Sequence, residues 1–369
     1  MKKVIALGIA VATLIKAREI HAEGWFKKAH VDIVEQAFEI LKNDSHKDLV
    51  SSLEIFKDQL VVGACVPDVK GDCDNGSGLH YYSPKNKFGL PNRKNGDYYP
   101  NRLGGYSKSA GTVFEECYYT ALILWQNKKY NTAAVMLGRA LHFLSDMCCV
   151  PHTTSRVCTG NPKNCHMAFE TYANKFVGIY NAMTSKSFYE SYLSLSPIEI
   201  ANSVSELSAG FYEKLTSKKD KNYDEIIAVT YPFSQMAVAG MIYKFAYEAK
   251  GEKLIDEFKS YVIKNCETGN FLHADGITSD EPEYFKVKAN HNGSLSFETQ
   301  EGFPLTISLK FTQFRLTLKD ENTRSFRITC RKKFSRNIAE IPLIRVTTNA
   351  FYKPDLDLHH WTIRETEIS

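Results

Sequence analysis

The chain has 369 residues and a mass of 41.8 kDa, more than one small core requires, which points to two domains. Its 43% hydrophobic and 24% charged residues exclude disorder and collagen-like structure, and a net charge of +4 is too small to make the whole chain a polyanion binder. Nine cysteines are many for a reducing cytosol and odd in number, so an oxidising compartment and at least one free thiol are expected.

The N-terminus carries the pattern of a secretory leader. Lys2 and Lys3 precede a 12-residue apolar run, Val4 to Ile15, and Ala22 and Gly24 place small side chains before a cut ahead of Trp25. The run is too short for a bilayer, which needs about 20 apolar residues. Residues 1–24 are therefore expected to be removed on export. No later stretch has the length and apolarity of a transmembrane helix, so a soluble mature protein is expected.

From His30 to about Gly251 the periodicity is helical. Ile33, Val34, Ala37 and Leu41 recur at helical spacing, from a start near His30 to a stop at Asn43-Asp44-Ser45. A loop rich in Pro, Asn, Gly and Tyr spans Ser83–Lys108, long enough to suggest function or mobility. Helical runs follow at Cys117–Asn127, Ala133–Met147, Met167–Tyr180, Ile198–Leu215 and Ser234–Lys250. Ala133–Met147 is apolar on nearly every face, as a central bundle helix would be.

After Gly251 the period changes to two. Ser294–Thr299, Leu305–Leu318, Phe326–Cys330 and Ile341–Thr348 alternate apolar and polar residues, predicting a β-sandwich or barrel of ordinary domain size. The organisation expected is a leader (1–24), an all-α catalytic domain (25–250) and an all-β sandwich (255–369).

Ten of the eleven histidines lie beyond the leader. His142 and Asp146 are four apart on the central helix and so leave one face; His166 and Glu170 repeat that geometry, and Pro151-His152 lies between the two pairs. Asp68 and His80 occupy the loop region upstream, and His30 starts the first helix. Imidazole and carboxylate are the donors zinc takes when thiolates are absent. Asp146 also sits in an apolar helix, where an unpaired carboxylate costs several kcal/mol and a bound cation removes that penalty.

The run Leu137-Gly-Arg-Ala-Leu-His142-Phe-Leu-Ser-Asp146, then Pro151-His152, then His166-Met-Ala-Phe-Glu170, resembles the bacterial zinc-dependent phospholipases C, which include the clostridial alpha-toxins and the Bacillus phosphatidylcholine-hydrolysing enzyme. Trp25, His30, Asp68 in Val-Pro-Asp, His80 in His-Tyr-Tyr-Ser-Pro and the segment Ala239-Gly-Met-Ile-Tyr-Lys-Phe extend the resemblance over about residues 25–250. It implies a helical bundle like that of the phospholipase C and P1-nuclease proteins, holding three Zn²⁺ ions. Asp68, His80, His142 and Asp146 would bind the first ion and His152, His166 and Glu170 the second. The third would take His30, a bridging Asp146, and Trp25 through its amine and carbonyl, an amine that only removal of the leader frees. The implied reaction is attack of zinc-bound hydroxide on glycerophospholipids, with Asp68 as general base and diacylglycerol and a phosphorylated head group as products.

The resemblance also implies that the C-terminal domain corresponds in position to a PLAT/C2-like lipid-binding sandwich. The expected partners are a phospholipid and a membrane surface, with no nucleic acid, and the protein is expected to be an extracellular monomer. Ten Lys/Arg against three Asp/Glu between Lys310 and Arg345 suit an anionic surface or a solvated face. Calcium is an additional candidate there, with Asp320, Asp355 and Asp357 as candidate ligands. Two departures are notable. Val69 stands where the family has Tyr in its choline pocket, and the five-residue step from Trp25 to His30 matches the S1/P1-type nucleases that cut single-stranded nucleic acid, the alternative function. Against a nuclease stand Glu170, where those enzymes carry Asp, the short segment between His152 and His166, and the β-domain. His46, His273, His291, His359 and His360 are expected to be structural or at the surface. Cys65 with Cys73 and Cys158 with Cys165 are candidate disulfides by proximity to the ligand loops; Cys148 and Cys149 are candidate free thiols, and no Cys-x₂-Cys pair points to thiolate zinc ligation.

Overall fold

A computed structural model describes residues 25–72, 74–75, 77–84, 98–100, 106–153, 165–217, 222–265, 268–290, 293–306, 314–320, 325–333, 338–342 and 360–365. The expected leader lies outside these residues. Among the described residues the α-helices are α1 (Trp25–Asn43), α2 (Lys47–Glu54), α3 (Lys57–Cys65), α4 (Ala110–Gln126), α5 (Tyr130–Cys148), α6 (Cys165–Ala173), α7 (Lys186–Ser194), α8 (Pro197–Ala209), α9 (Tyr212–Thr216) and α10 (Tyr223–Glu248). A short hairpin, β1 (Tyr98–Pro100) with β2 (Tyr106–Lys108), lies between α3 and α4.

The helix starts follow local chemistry. The Ser109 hydroxyl caps α4 by accepting from the Thr112 amide, and Ser196 with Glu199 forms a capping box on α8, where Pro197 occupies the first turn. Asn222 caps α10 through the Glu225 amide. Every residue of α4 is buried, and α5 is buried from Met136 to Cys148, so these two helices form the centre of the bundle. α1 starts at Trp25, five residues before the expected start, which places His30 in the second turn. α10 is long and apolar enough to cross a membrane by composition alone, contrary to expectation, but 67% of its apolar window is buried inside the helical core.

One glycine pair decides how closely the central helices approach. A Cβ on Gly63 of α3 would lie 2.1 Å from the Val135 carbonyl oxygen, and one on Gly138 of α5 would lie 2.1 Å from that of Leu60. Only bare Cα atoms permit α3 and α5 to cross at this distance.

Beyond α10 the strands are β3 (Ser260–Asn265), β4 (Phe271–Leu272), β5 (Thr278–Ser279), β6 (Phe285–Ala289), β7 (Leu295–Thr299), β8 (Phe314–Asp320), β9 (Ser325–Lys333), β10 (Ile338–Pro342) and β11 (His360–Glu365), all antiparallel. β11 pairs with both β3 and β9, returning the β9-β8-β7-β6-β3 ladder on itself. Register places Val287 opposite Phe297 and Leu316 opposite Ile328. Phe285, Val287, Leu295 and Phe297 point inward at alternate positions, with Tyr261, Phe314, Leu316 and Phe326 completing a second core.

The two domains are joined by buried polar contacts. Asn127 and Gln126, at the end of α4, donate to the carbonyls of Ile255 (2.6 Å) and Glu252 (3.0 Å), and α4's Ile123 belongs to the β-domain core. Arg315 of β8, counted above with the basic run, is 1% exposed; its guanidinium bonds Asp74 at 3.2 Å, and Arg139 of α5 bonds both Asp74 and Asp72. Arg315 thus ties the β-domain to the loop between Asp68 and His80 rather than facing a membrane.

Candidate metal centre

α3 stops at Cys65 because Pro67 follows, and the resulting one-turn 3₁₀ helix Val66–Asp68 sets Asp68 at the bundle's edge. A second 3₁₀ turn, Ser77–His80, carries His80, and Val150–Thr153 after α5 carries His152. These turns are braced against each other: Tyr82 donates its amide to the His152 carbonyl at 2.9 Å, and His152 Nδ1 donates to the His80 carbonyl at 2.8 Å.

The structure brings eight of the nine expected ligands together; the ninth, Trp25, opens α1, and its side chain lies outside the described residues. Around Asp146, His80 Nδ1 is 2.8 Å, His142 Nε2 3.3 Å and His30 Nε2 3.5 Å from its oxygens. Asp68 lies 3.7 Å from His142, 3.8 Å from His80 and 3.9 Å from His30. On the other side, Glu170 Oε1 is 2.8 Å from His152 Nε2 and 2.6 Å from His166 Nε2. His30, His142 and Asp146 form one group able to hold a metal ion, and Asp68, His80 and His142 form another.

The outer faces of the rings settle their tautomers. His142 Nδ1 donates to the Ala64 carbonyl (2.8 Å), which leaves Nε2 as the nitrogen facing Asp146 and Asp68. Ser145 donates its hydroxyl to the His142 carbonyl (2.8 Å) and so accepts from His30 Nδ1 (2.7 Å), turning His30 Nε2 inward. His152 Nε2 faces Glu170 by the same logic, and the Tyr81 hydroxyl is 3.1 Å from His166 Nδ1. Such outer partners are what metal-bound histidines require. Ser145 and the carbonyls of Ala64 and His80 had no signal in the sequence: two are backbone atoms, and Ser145 is one small residue in an apolar helix.

The electrostatics fit a cation. Burial alone would strip the proton from His142, but Asp146 and Asp68 outweigh it and hold this imidazole up at about 9; burial is likewise outweighed at His152 by Asp146 and Glu170, again to about 9. Burial and the neighbouring His142 keep His30 well below its usual value, and burial raises the Asp68 carboxyl. Asp68 Oδ2 and Glu170 Oε2 are buried and accept no hydrogen bond. Without a metal the carboxylates keep His142 and His152 protonated; zinc would displace those protons and take the inward nitrogens with the unsatisfied carboxylate oxygens as its donor set.

Of the remaining histidines, His273 donates to Ser279 and Glu281 and His46 packs edge-on against Tyr189 and Tyr243, both structural roles. Cys117, Cys148 and Cys149 are buried free thiols. The candidate disulfides each include a residue, Cys73 or Cys158, outside the described residues, as do the calcium candidates Asp355 and Asp357.

A helical bundle holding His/carboxylate metal groups, followed by an antiparallel β-domain, defines a metal-dependent, two-domain architecture. The profile of the zinc dependent phospholipase C family matches residues 29–218, and the chain belongs to that family. It is 25% identical to a phospholipase C of Clostridium perfringens over 366 residues, covering 90% of this chain and 88% of that protein. It is 26% identical to a phospholipase C of Clostridium haemolyticum over 325 residues, covering 79% and 78%. The fold matches alpha-toxin of Clostridium absonum (TM-score 0.54, 19% identity, 92% of this chain and 88% of that one) and alpha-toxin from an avian strain of C. perfringens (TM-score 0.54, 20%, 94% and 99%). The chain is a zinc-dependent phospholipase C enzyme with the alpha-toxin fold.

Proposed function

We propose that this enzyme is exported, is cut before Trp25, and hydrolyses glycerophospholipids to diacylglycerol and a phosphorylated head group. The catalytic domain would span 25–250 and the β-domain 255–369. The observation that carries the proposal is the convergence of His30, Asp68, His80, His142, Asp146, His152, His166 and Glu170, with two orphaned carboxylate oxygens among them. Asp68, His80, His142 and Asp146 would hold one zinc; His152, His166 and Glu170 a second; and His30, Asp146 and Trp25 a third. When bound, zinc supplies a lowered pKa for water and positive charge for the phosphodiester.

The protein's own groups do the rest. Asp68 Oδ2 has no hydrogen-bond partner and is the atom placed to take the proton of an attacking water. Asp146, reached by three imidazoles, fixes the spacing of the groups around it. Tyr81 stacks on His152 with ring centroids 5.2 Å apart and keeps an aromatic face at the site, whereas Val69 offers none, which argues against a strong choline preference. Phe303 (64%) and Ile277 (57%) of the β-domain are exposed apolar side chains that would be available to a lipid surface.

The test is head-group release from mixed phospholipid micelles by the protein starting at Trp25, with and without a zinc chelator. Chelator-sensitive release of phosphorylated head group is expected. Cleavage of single-stranded nucleic acid, with no lipid turnover and zinc bound, would overturn the proposal in favour of the nuclease alternative raised by the Trp25–His30 spacing.

A further inference from the structure

Asp68 Oδ2 accepts no hydrogen bond, so its aim rests on the backbone that carries it. That backbone is gripped from outside the metal centre. Asn75, an exposed residue, donates its side-chain amide to the Pro67 carbonyl at 3.0 Å, on the peptide that leads into Asp68. The Asn75 backbone amide donates to the Asp72 carbonyl at 3.3 Å, and the Asp72 amide closes the turn onto the Val69 carbonyl at 2.9 Å. Gly71 permits this reversal with φ of 92°.

The same loop is anchored from both domains. Arg139 of α5, three residues before His142, forks onto Asp72 at 2.5 and 2.8 Å and reaches Asp74 at 2.5 Å. Arg315 of β8 meets Asp74 with both terminal guanidinium nitrogens, each at 3.2 Å, and lies 3.9 Å from Glu116 of α4. Arg315, Asp74 and Glu116 are each at most 1% exposed. Two-pronged guanidinium–carboxylate pairs hold one relative orientation, and a buried carboxylate that loses such a partner must move to find another. A path of direct contacts therefore runs from β8 through Asp74 and its neighbour Asn75 to Pro67 and Asp68.

We propose that Asn75 is a positioning residue for Asp68, and that Arg315, acting through Asp74, makes the aim of Asp68 depend on how the β-domain is seated. The inference rests on the phospholipase C reading above, with Asp68 as its base. The β-domain then has a second task besides meeting lipid: its seat on the helical domain tunes turnover. Displacing a general base slows proton transfer without weakening the binding of substrate, so the effect falls on kcat rather than KM.

The experiment uses the zinc-loaded protein beginning at Trp25. Its substrates are dihexanoyl phosphatidylcholine and dihexanoyl phosphatidylethanolamine, kept below their micellar concentrations so that no lipid surface is present. Asn75→Ala is expected to lower kcat on the order of tenfold, with KM, zinc content and unfolding midpoint at the parent's values. Arg315→Met is expected to lower kcat in the same way, and Arg315→Lys, which keeps the charge, to recover part of it. Asn127→Ala loosens the domain interface at Ile255, away from the Asp68 loop, and is expected to keep the parent kcat. A parent kcat in Asn75→Ala overturns the positioning role, whether or not the Arg315 variants fold. A kcat lost equally in Asn127→Ala and Arg315→Met overturns the path through Asp74. A parent protein that holds zinc and releases no head group from either lipid overturns the phospholipase C reading, and this inference with it.

Discussion

Gly138→Ala tests whether the closeness of α3 and α5 builds the site. The added Cβ would lie 2.1 Å from the Leu60 carbonyl oxygen, where contacts under 3.0 Å are essentially never seen. The helices must part by about 0.9 Å to relieve it. That movement stretches the bond from His142 Nδ1 to the Ala64 carbonyl from 2.8 Å to about 3.7 Å, beyond hydrogen-bonding distance. Overpacking costs about 1–3 kcal/mol and the lost bond about 1, while alanine's better helix propensity returns up to about 1. A net destabilisation of about 1–3 kcal/mol is expected in chemical denaturation. Because the lost bond orients a metal donor, zinc retained after dialysis should fall as well. A Gly138→Ala protein within about 0.5 kcal/mol of the parent, with its full zinc content, would refute the reasoning.

Four other outcomes follow from single groups. Asp146→Asn should leave two zinc positions empty and abolish turnover, measured by metal analysis beside head-group release; near-normal activity would remove Asp146 as a bridge. Arg315→Met leaves the buried Asp74 with Arg139 alone and should lower stability by about 3 kcal/mol, read by denaturation. Burial would raise the Asp74 carboxyl, but Arg315 and Arg139 outweigh it and hold it far below the usual carboxylate range. Its folded pKa is thus depressed, so the stability it contributes is present above about pH 4 and fades as pH falls further; Asp74→Asn should flatten the acid side of a stability–pH curve. Asp44 accepts from the Thr184 hydroxyl, the Ser185 amide and the Tyr189 hydroxyl at 2.6–2.8 Å, fastening the end of α1 to α7. Asp44→Ala should cost about 2–4 kcal/mol, visible in thermal or chemical unfolding.

The sequence by itself determined what depends on local period and side-chain chemistry. A 3.6-residue period places His142 with Asp146 and His166 with Glu170, and the change to a period of two marks the β-domain. Short helices such as Lys47–Glu54, Lys57–Cys65 and Lys186–Ser194 carry too few turns for that signal, and the strands Ser260–Asn265, Phe285–Ala289 and His360–Glu365 lay outside the alternating runs. Only the tertiary structure decided which backbone carbonyl meets which ring. Ala64 reaches His142 across 78 positions and His80 reaches His152 across 72, contacts that exist because two glycines let helices touch and two proline-ended helices turn towards each other. It likewise turned Arg315 from a surface charge into a buried tie. Pairings of that kind are made by packing between distant segments, and no local pattern encodes them.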